Sequence, residues 1–549
     1  MNPKPVPPLR KLGLLGLGLW MLLSACQTQV SVPGHTESPV TQSNTTAPTV
    51  PKAVPTGELI LHFKTGVSAT QQNTLLQRYR LQKRSHFTLR GHDYLLVEPQ
   101  HPETLPRETL RNQAQTLSLS SDIESVDLNV RFAAPRFNDE NFGKPQGIEG
   151  WWRKDTGVEA AWAYSIGTGV KAAYIDSGFI DHHPEFESRL QIGEEANQSA
   201  LAALDRTQIN LPHGDHGTAS LLVGFAERDN HLPSVGVAPN SEIMPFVASN
   251  VWEVARALYA ALRQKPDVVG INFAFPLYPD WEKFEEYQQY RVLKAVFEAN
   301  AQQDKIPIVV PAHNYGEPIN QGVRQWIPVS WADEFSEIIP VGGVQINGER
   351  KLSAWFSDYL LTGINARGSN YGERMIWAPA LYLDIANPDP DNLKPGAMSG
   401  TSAACPFVTA SVALLKSRFP ELSAPRLREL LWSTGEPISA SALFQNPTAS
   451  VPLIRLDKAF AAQYLATGQS AEAARVQRYE GELLYNPFRL RTPEATSPLL
   501  STRSDMRAGT LPYPAGQRVQ LEAWLVTQTG QQSLAQPSLE LLSIKALNP

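Results

Sequence analysis

Cysteine is almost missing from this chain: of 549 residues only Cys26 and Cys405 carry thiols, far apart and in unlike surroundings. A disulfide framework is therefore excluded as the source of stability. An excess of charge is missing too. Lys and Arg number 48 against 54 Asp and Glu, for a net charge of −6, and there is no long basic block. That sets nucleic acid aside as a partner. The apolar run that opens the chain, residues 12–23, lacks the length to cross a bilayer comfortably. What remains is enough chain for about two to four domains, each with its own core.

The first segment reads as an address rather than a fold element. Lys4, Arg10 and Lys11 precede the apolar run, as in an export signal. The run ends in Leu23-Ser24-Ala25-Cys26, which resembles the bacterial lipobox. That resemblance implies a signal peptide over residues 1–26, lipidation of Cys26, and a body tethered to the membrane outside the cytoplasm. By the same analogy Gln27, standing where Asp would retain the protein, implies the outer membrane of a cell that has one. A plain secretory signal with an incidental cysteine is the alternative. Residues 27–56 are rich in Thr, Pro, Ser, Val and Gln without helical or strand period, and read as a disordered tether.

Residues 57–133 follow the order strand, helix, strand, strand, helix, strand. Leu59, Leu61 and Phe63 alternate with smaller or polar residues, and Leu75, Leu76, Tyr79 and Leu81 give a helical face. Strands at 86–89 and 93–97, a helix at 106–117 and a strand at 123–132 complete a ferredoxin-like α+β unit. Beyond a linker with Pro135, Phe137 and Pro145, residues 134–466 alternate. Apolar strands are expected at 170–175, 243–248, 267–273, 306–311 and 337–344, and helices at 216–225, 254–262, around Trp281 to Asn300, and from 407. Alternation of this kind predicts an α/β domain, its parallel sheet covered by helices on both faces, with active residues at the carboxyl ends of strands. Residues 467–549 lose the alternation and read as a small β-rich region.

The stretch Ser399-Gly400-Thr401-Ser402-Ala403-Ala404-Cys405-Pro406 turns through small residues into an apolar helix and bares one hydroxyl, that of Ser402. Free N–H groups at such a helix start stabilise developing negative charge. An ordinary helix cap is the plain alternative. Serine needs a base, and the base needs an orienting carboxylate. Asp176 ends an apolar strand before Gly178, His216 stands at a helix start within His213-Gly214-Asp215-His216-Gly217-Thr218, and Asn314 follows the strand at 306–311.

In this order Asp176, His216, Asn314 and Ser402 resemble the subtilisin-like serine proteases. The motifs are Ile-Asp-Ser-Gly at 175–178, His-Gly-Thr at 216–218, Gly-Val-Ala-Pro at 236–239 and Gly-Thr-Ser-Ala-Ala-Cys-Pro at 400–406. The resemblance implies hydrolysis of protein or peptide substrates through an acyl-enzyme. Ser402 would be the nucleophile, His216 the base and then acid, Asp176 its orienter, and Asn314 an oxyanion donor. No cofactor would be needed, and a structural calcium ion is left open. Residues 57–133 would be an inhibitory propeptide acting on its own chain, with processing between Phe132 and Phe142.

Two departures stand out. His313 in Ala312-His313-Asn314 replaces the glycine that usually lines the primary pocket, and Ala274-Phe275-Pro276 replaces the Ser-Leu-Gly edge that pairs with substrate. Pro276, without an N–H, removes one ladder hydrogen bond. These departures predict a narrow or weak protease. They also keep open a second reading, a surface lipoprotein that uses the fold as a binding or scaffold module. Metal ligation by His182, His183, His213, Asp215 and His216, and a reactive thiol at Cys405, are the remaining alternatives.

Overall fold

The computed structural model describes residues 54–131 except 90 and 101–106, residues 151–468 except 181, 187–188, 192–213, 229, 231, 233, 278–289, 321–324, 348–350, 362–365, 382 and 392–394, and residues 477–547 except 485–488, 493–495, 501–516 and 530–531. The expected signal, tether and Cys26, the expected processing stretch, and His213 and Trp281 lie outside the described residues, apart from the start of the first strand at Val54.

The N-terminal unit runs β1 (Val54–Phe63), α1 (Ala69–Arg78), β2 (Leu81–Leu89), β3 (His92–Pro99), α2 (Arg107–Ser118) and β4 (Ile123–Arg131). Its antiparallel sheet has the order β2-β3-β1-β4, the ferredoxin-like arrangement. The alternation of β1 puts Leu59, Leu61 and Phe63 in the core. A reciprocal capping box starts α1, with Ser68 and Gln71 each accepting the other's backbone N–H. The helix ends before Tyr79, which corrects the expected helical face. Arg80 turns the chain at φ 52° and Leu81 opens β2 as a buried strand residue.

After two short helices, α3 (Trp151–Asp155) and α4 (Val158–Ala161), come β5 (Lys171–Asp176), α5 (Gly214–Phe225), β6 (Glu242–Val247), α6 (Val251–Arg263), β7 (Val268–Ile271), β8 (Phe275–Leu277), α7 (Arg291–Gln302), β9 (Ile308–Pro311) and β10 (Gln325–Ile327). Then follow β11 (Ile338–Ile346), β12 (Leu352–Ala354), β13 (Phe356–Leu361), β14 (Ala366–Gly368), β15 (Ile376–Pro379), β16 (Leu383–Ala386), β17 (Pro395–Met398), α8 (Thr401–Arg418), α9 (Ala424–Ser433), β18 (Glu436–Ser439), β19 (Ser450–Leu453) and α10 (Leu456–Ala466). The central sheet has nine strands in the order β12-β18-β19-β15-β11-β9-β7-β5-β6. From β6 to β19 the neighbours are parallel, while β18 and β12 add antiparallel pairs at the margin. Strands β7, β9 and β15 are buried throughout, as continuous apolar strands under helices on both faces must be.

Sequence boundaries also shifted near the site. The expected strand at 267–273 is observed over Val268–Ile271, and Asn272 just beyond it still donates its backbone N–H to the Ile175 carbonyl at 2.9 Å while its side chain serves the site described below. Of the helix expected around Trp281 to Asn300, the part described is α7, which begins at Arg291 just after Tyr290 turns the chain at φ 52°, and residues 281–289 lie outside the described residues.

Helix α8 crosses the sheet with nearly every residue buried. Gly270 of β7 lets it sit close: a Cβ there would lie 2.5 Å from the Tyr174 ring and 2.7 Å from Thr409 Oγ1 of α8. The N-terminal unit docks on α6 and α7 through the same face of β4. Asn129 Oδ1 accepts the Trp252 N–H at 3.3 Å, and Asp127 accepts the Arg291 backbone N–H at 3.1 Å and its guanidinium at 3.0 Å. Helix starts carry unpaired N–H groups, so two side chains of one strand cap two helices of another unit. Phe87 packs beside them on Trp252 and Tyr259, with ring centroids 5.2 and 5.4 Å apart.

The last strands, β20 (Gln477–Leu484), β21 (Arg489–Arg491), β22 (Thr496–Leu500), β23 (Arg518–Thr529) and β24 (Gln532–Ala546), close a barrel in the order β20-β21-β22-β24-β23, with Leu483, Leu490, Val519 and Leu521 buried. Among the described residues no helix is long and apolar enough to cross a membrane.

Two outcomes follow from this packing. Gly270→Ala should lower unfolding stability by about 1–3 kcal/mol, read as a lower urea midpoint, because α8 must lift from the sheet. Asp127→Ala with Asn129→Ala should cost about 1–2 kcal/mol per cap and make residues 54–131 more quickly cut by added trypsin.

Candidate active site

Residues 172–175 are fully buried and carry Asp176 to the carboxyl end of β5, where it is 1% exposed. A buried carboxylate must be filled with donors, and this one is. Its Oδ1 accepts His216 Nδ1 at 2.7 Å and the Ser177 N–H at 2.7 Å. Its Oδ2 accepts the Ser220 hydroxyl at 3.0 Å and Asn272 Nδ2 at 3.1 Å. His216 and Ser220 stand one turn apart on α5, so one helix face delivers both. Holding Nδ1 to the carboxylate turns Nε2 to the opposite side of the ring, where it can handle a substrate proton.

Ser402 is the second residue of α8 and follows Gly400, whose φ of 87° and ψ of 172° suit glycine. The Asn272 amide also donates to the Ser402 carbonyl at 3.1 Å, so one side chain ties the serine's backbone to the carboxylate. Among the described residues no side chain of α8 caps its own start. Asn314 does so instead: its Oδ1 accepts the Thr401 N–H and the Thr401 hydroxyl, each at 2.9 Å. With the oxygen committed, the NH2 end is the one able to donate, and a Cβ on Gly400 would crowd it at 3.2 Å. Asp176, His216, Asn314 and Ser402, each 7% exposed or less, thus share one end of the sheet.

The loop bearing Asn314 is braced by Asn370, which is fully buried. Its amide donates to the Ala312 carbonyl at 2.9 Å, its oxygen accepts the Tyr315 and Glu317 N–H groups, and its own N–H meets the His313 carbonyl at 2.8 Å. Sequence reasoning missed Ser220, Asn272 and Asn370. The first two had a signal, helical spacing from His216 and a polar residue at a strand exit; Asn370 had none.

His313 adopts φ 79°, which explains why glycine is usual there. Its Nδ1 accepts the Asn314 N–H at 2.8 Å, and its ring lies 4.4 Å from Trp326 and 5.0 Å from Tyr315. Ala312 is fully buried, as is Phe275, and Ala274 is 8% exposed. The segment expected to pair with substrate is already paired on one side by β10, with Phe275 opposite Ile327, Pro276 opposite Trp326 and Leu277 opposite Gln325. Having no N–H, Pro276 forms the non-hydrogen-bonded pair, and its carbonyl accepts the Tyr290 hydroxyl at 3.0 Å.

The metal alternative finds no cluster. Among the described residues no group of three or more His, Cys, Asp or Glu could hold an ion. His183 Nε2 lies 3.1 Å from the Asn387 carbonyl, and burial lowers its pKa. Glu185, pushed up to about 7 by burial, is bonded to Asn230 Nδ2 and the Ser234 N–H. Cys405 is fully buried with Sγ against the Ile271 and Val309 carbonyls, and burial pushes its thiol far up.

A sequence profile described as the subtilase family matches residues 167–461. The chain is 24% identical over 276 residues to the major intracellular serine protease of Bacillus subtilis (strain 168), covering 49% of this chain and 75% of the relative. It is 25% identical over 301 residues to a calcium-dependent protease of Trichormus variabilis, covering 50% of this chain and 42% of the relative. Among solved structures, fervidolysin from Fervidobacterium pennivorans, a keratinolytic enzyme related to subtilisin, superposes with a TM-score of 0.52 at 15% identity, over 88% of this chain and 74% of that one. At that identity the likeness speaks for the fold alone.

The thiol gives a direct check on site burial. With its pKa raised, Cys405 stays protonated through neutral pH, so iodoacetamide at pH 8 should leave the peptide carrying it unmodified in native protein and modify it after unfolding in urea. Peptide mass mapping reads this out.

Proposed function

The chain belongs to the subtilase family of serine endopeptidases, and from that premise we propose that Asp176, His216 and Ser402 carry out the hydrolysis. His216 Nε2 takes the Ser402 Oγ proton as Oγ attacks the peptide carbonyl. The tetrahedral oxygen is held by the Asn314 amide and the Ser402 N–H at the start of α8, where backbone donors and the helix dipole add to the stabilisation. His216 then protonates the leaving amine, and water attacks the acyl-enzyme by the same route in reverse. Asp176 fixes the imidazole tautomer and stabilises its charged form. The observation that carries this reading is the 2.7 Å bond from His216 to a buried Asp176 that Asn272 also links to the Ser402 backbone.

Residues 54–131 we read as the propeptide-like inhibitor of the same chain, retained through the caps that Asp127 and Asn129 place on α6 and α7 and released by self-processing. Cys26 we read as the lipid anchor of a protein of the bacterial cell envelope, on the strength of its lipobox-like setting. Calcium enters through the names of two relatives, both calcium-dependent proteases. The described residues gather no acidic cluster that fits it, and no step here runs through it. The low-turnover binding module draws support from Pro276, whose outward edge offers no N–H and a carbonyl already taken.

Fluorophosphonate labelling separates these readings. The full chain, or its Asp127→Ala, Asn129→Ala form, should label, and Ser402→Ala should not. Asn314→Ala should lower kcat about 100- to 1,000-fold. If neither form labels, the triad is not assembled and the binding-module reading takes its place.

A further inference from the structure

Strand order fixes where a substrate's side chains must go. Asp176 and His216 stand at the β5 position, the chain leaving β7 at 272–277 comes next, and the chain leaving β9 at 312–315 lies beyond it. With the carbonyl held at Asn314 and Ser402 and the leaving amine turned toward His216, the side chain on the acyl side drops between the segments that follow β7 and β9. The pairing of β7 with β9 ends at Gly270 opposite Val309, so beyond it the two segments are no longer joined as strands and a crevice, the slot for that side chain, opens at their carboxyl ends.

In this chain the slot holds the protein's own rings. Trp326, 1% exposed, is brought in by the pairing of β10 with β8, and packs on His313 at 4.4 Å and on Tyr315 at 5.1 Å with planes 20° apart. His313 is pinned by its bond to the Asn314 N–H, and Asn370 braces the loop on both sides of it. The other wall is equally fixed, since Phe275 is buried against Phe273 and Tyr290. Clearing the slot would require breaking the β8–β10 ribbon as well as the ring stack.

Resting on the endopeptidase reading above, we propose that His313 and Trp326, backed by Tyr315, close the acyl-side pocket, and that the enzyme cleaves after residues with little or no side chain: glycine, alanine or serine. Exclusion works by steric clash against large residues, which gives selectivity without any added attraction for small ones.

The test is a matched series of peptidyl p-nitroanilides with Gly, Ala, Leu or Phe at the acyl position, run on whichever full-length form takes up fluorophosphonate, beside its His313→Gly and Trp326→Ala variants. The readout is the Phe-to-Ala ratio of kcat/KM, which cancels general damage to the enzyme. Wild type should favour Ala over Phe at least about 100-fold, and each variant should raise the ratio at least about 30-fold. His313→Gly decides alone should Trp326→Ala fail to fold, since the left-handed backbone suits glycine. A wild type that labels yet cleaves after Leu or Phe as readily as after Ala overturns the proposal and leaves the endopeptidase reading standing. So does a ratio that stays within about 3-fold of wild type in the variants that fold. A chain that neither labels nor cleaves any member of the series overturns the endopeptidase reading, and this proposal with it.

Discussion

The buried carboxylate of Asp176 is the constraint on which the site depends. A charge at that depth persists only if every lone pair finds a donor, and the donors come from its own turn, from α5 and from the exit of β7. Satisfying the carboxylate therefore places His216, Ser220 and Asn272 together, and Asn272 in turn fixes the backbone of Ser402. The geometry that the proposed mechanism needs and the cost of burying a charge are met by one set of hydrogen bonds. Removing any member exposes the rest to an unfilled acceptor.

A second device recurs, the capping of a helix by a side chain from elsewhere. Asn314 caps α8, Asn129 reaches the start of α6, and Asp127 that of α7. In each case an unpaired backbone donor is matched by an oxygen brought in by a strand or by the loop after one, so tertiary docking and helix termination are one event. The Asn314 cap has a chemical by-product: committing its oxygen aims its NH2. The caps from β4 join the N-terminal unit to the same helices that cover the sheet, and so link that unit's docking to the integrity of the larger domain.

Much of this was legible in the chain. Apolar runs located β5, β7, β9 and β11, and the motifs around Asp176, His216, Asn314 and Ser402 lay at strand or helix ends, where an α/β sheet presents working residues. A boundary failed where a single non-glycine residue takes a left-handed conformation, at Arg80, because composition gives no warning of a positive φ. Asn370 and Trp326 were invisible for another reason. Each acts on a loop that is distant in sequence, Asn370 on 312–317 and Trp326 on His313 and Pro276, so their roles exist only once the sheet has formed. The margin of the sheet and the terminal barrel are built from short strands whose partners are equally remote.

The left-handed backbone at His313 carries one more implication. An imidazole there costs on the order of 1 kcal/mol relative to glycine, so the ring that narrows the cleft is held against the local preference of its own backbone. Thermal hardiness and discrimination then pull this position in opposite directions. A lineage selected only for robustness would drift to glycine and become a less choosy enzyme, and an engineer who stabilises the fold at this residue trades away its selectivity in the same step.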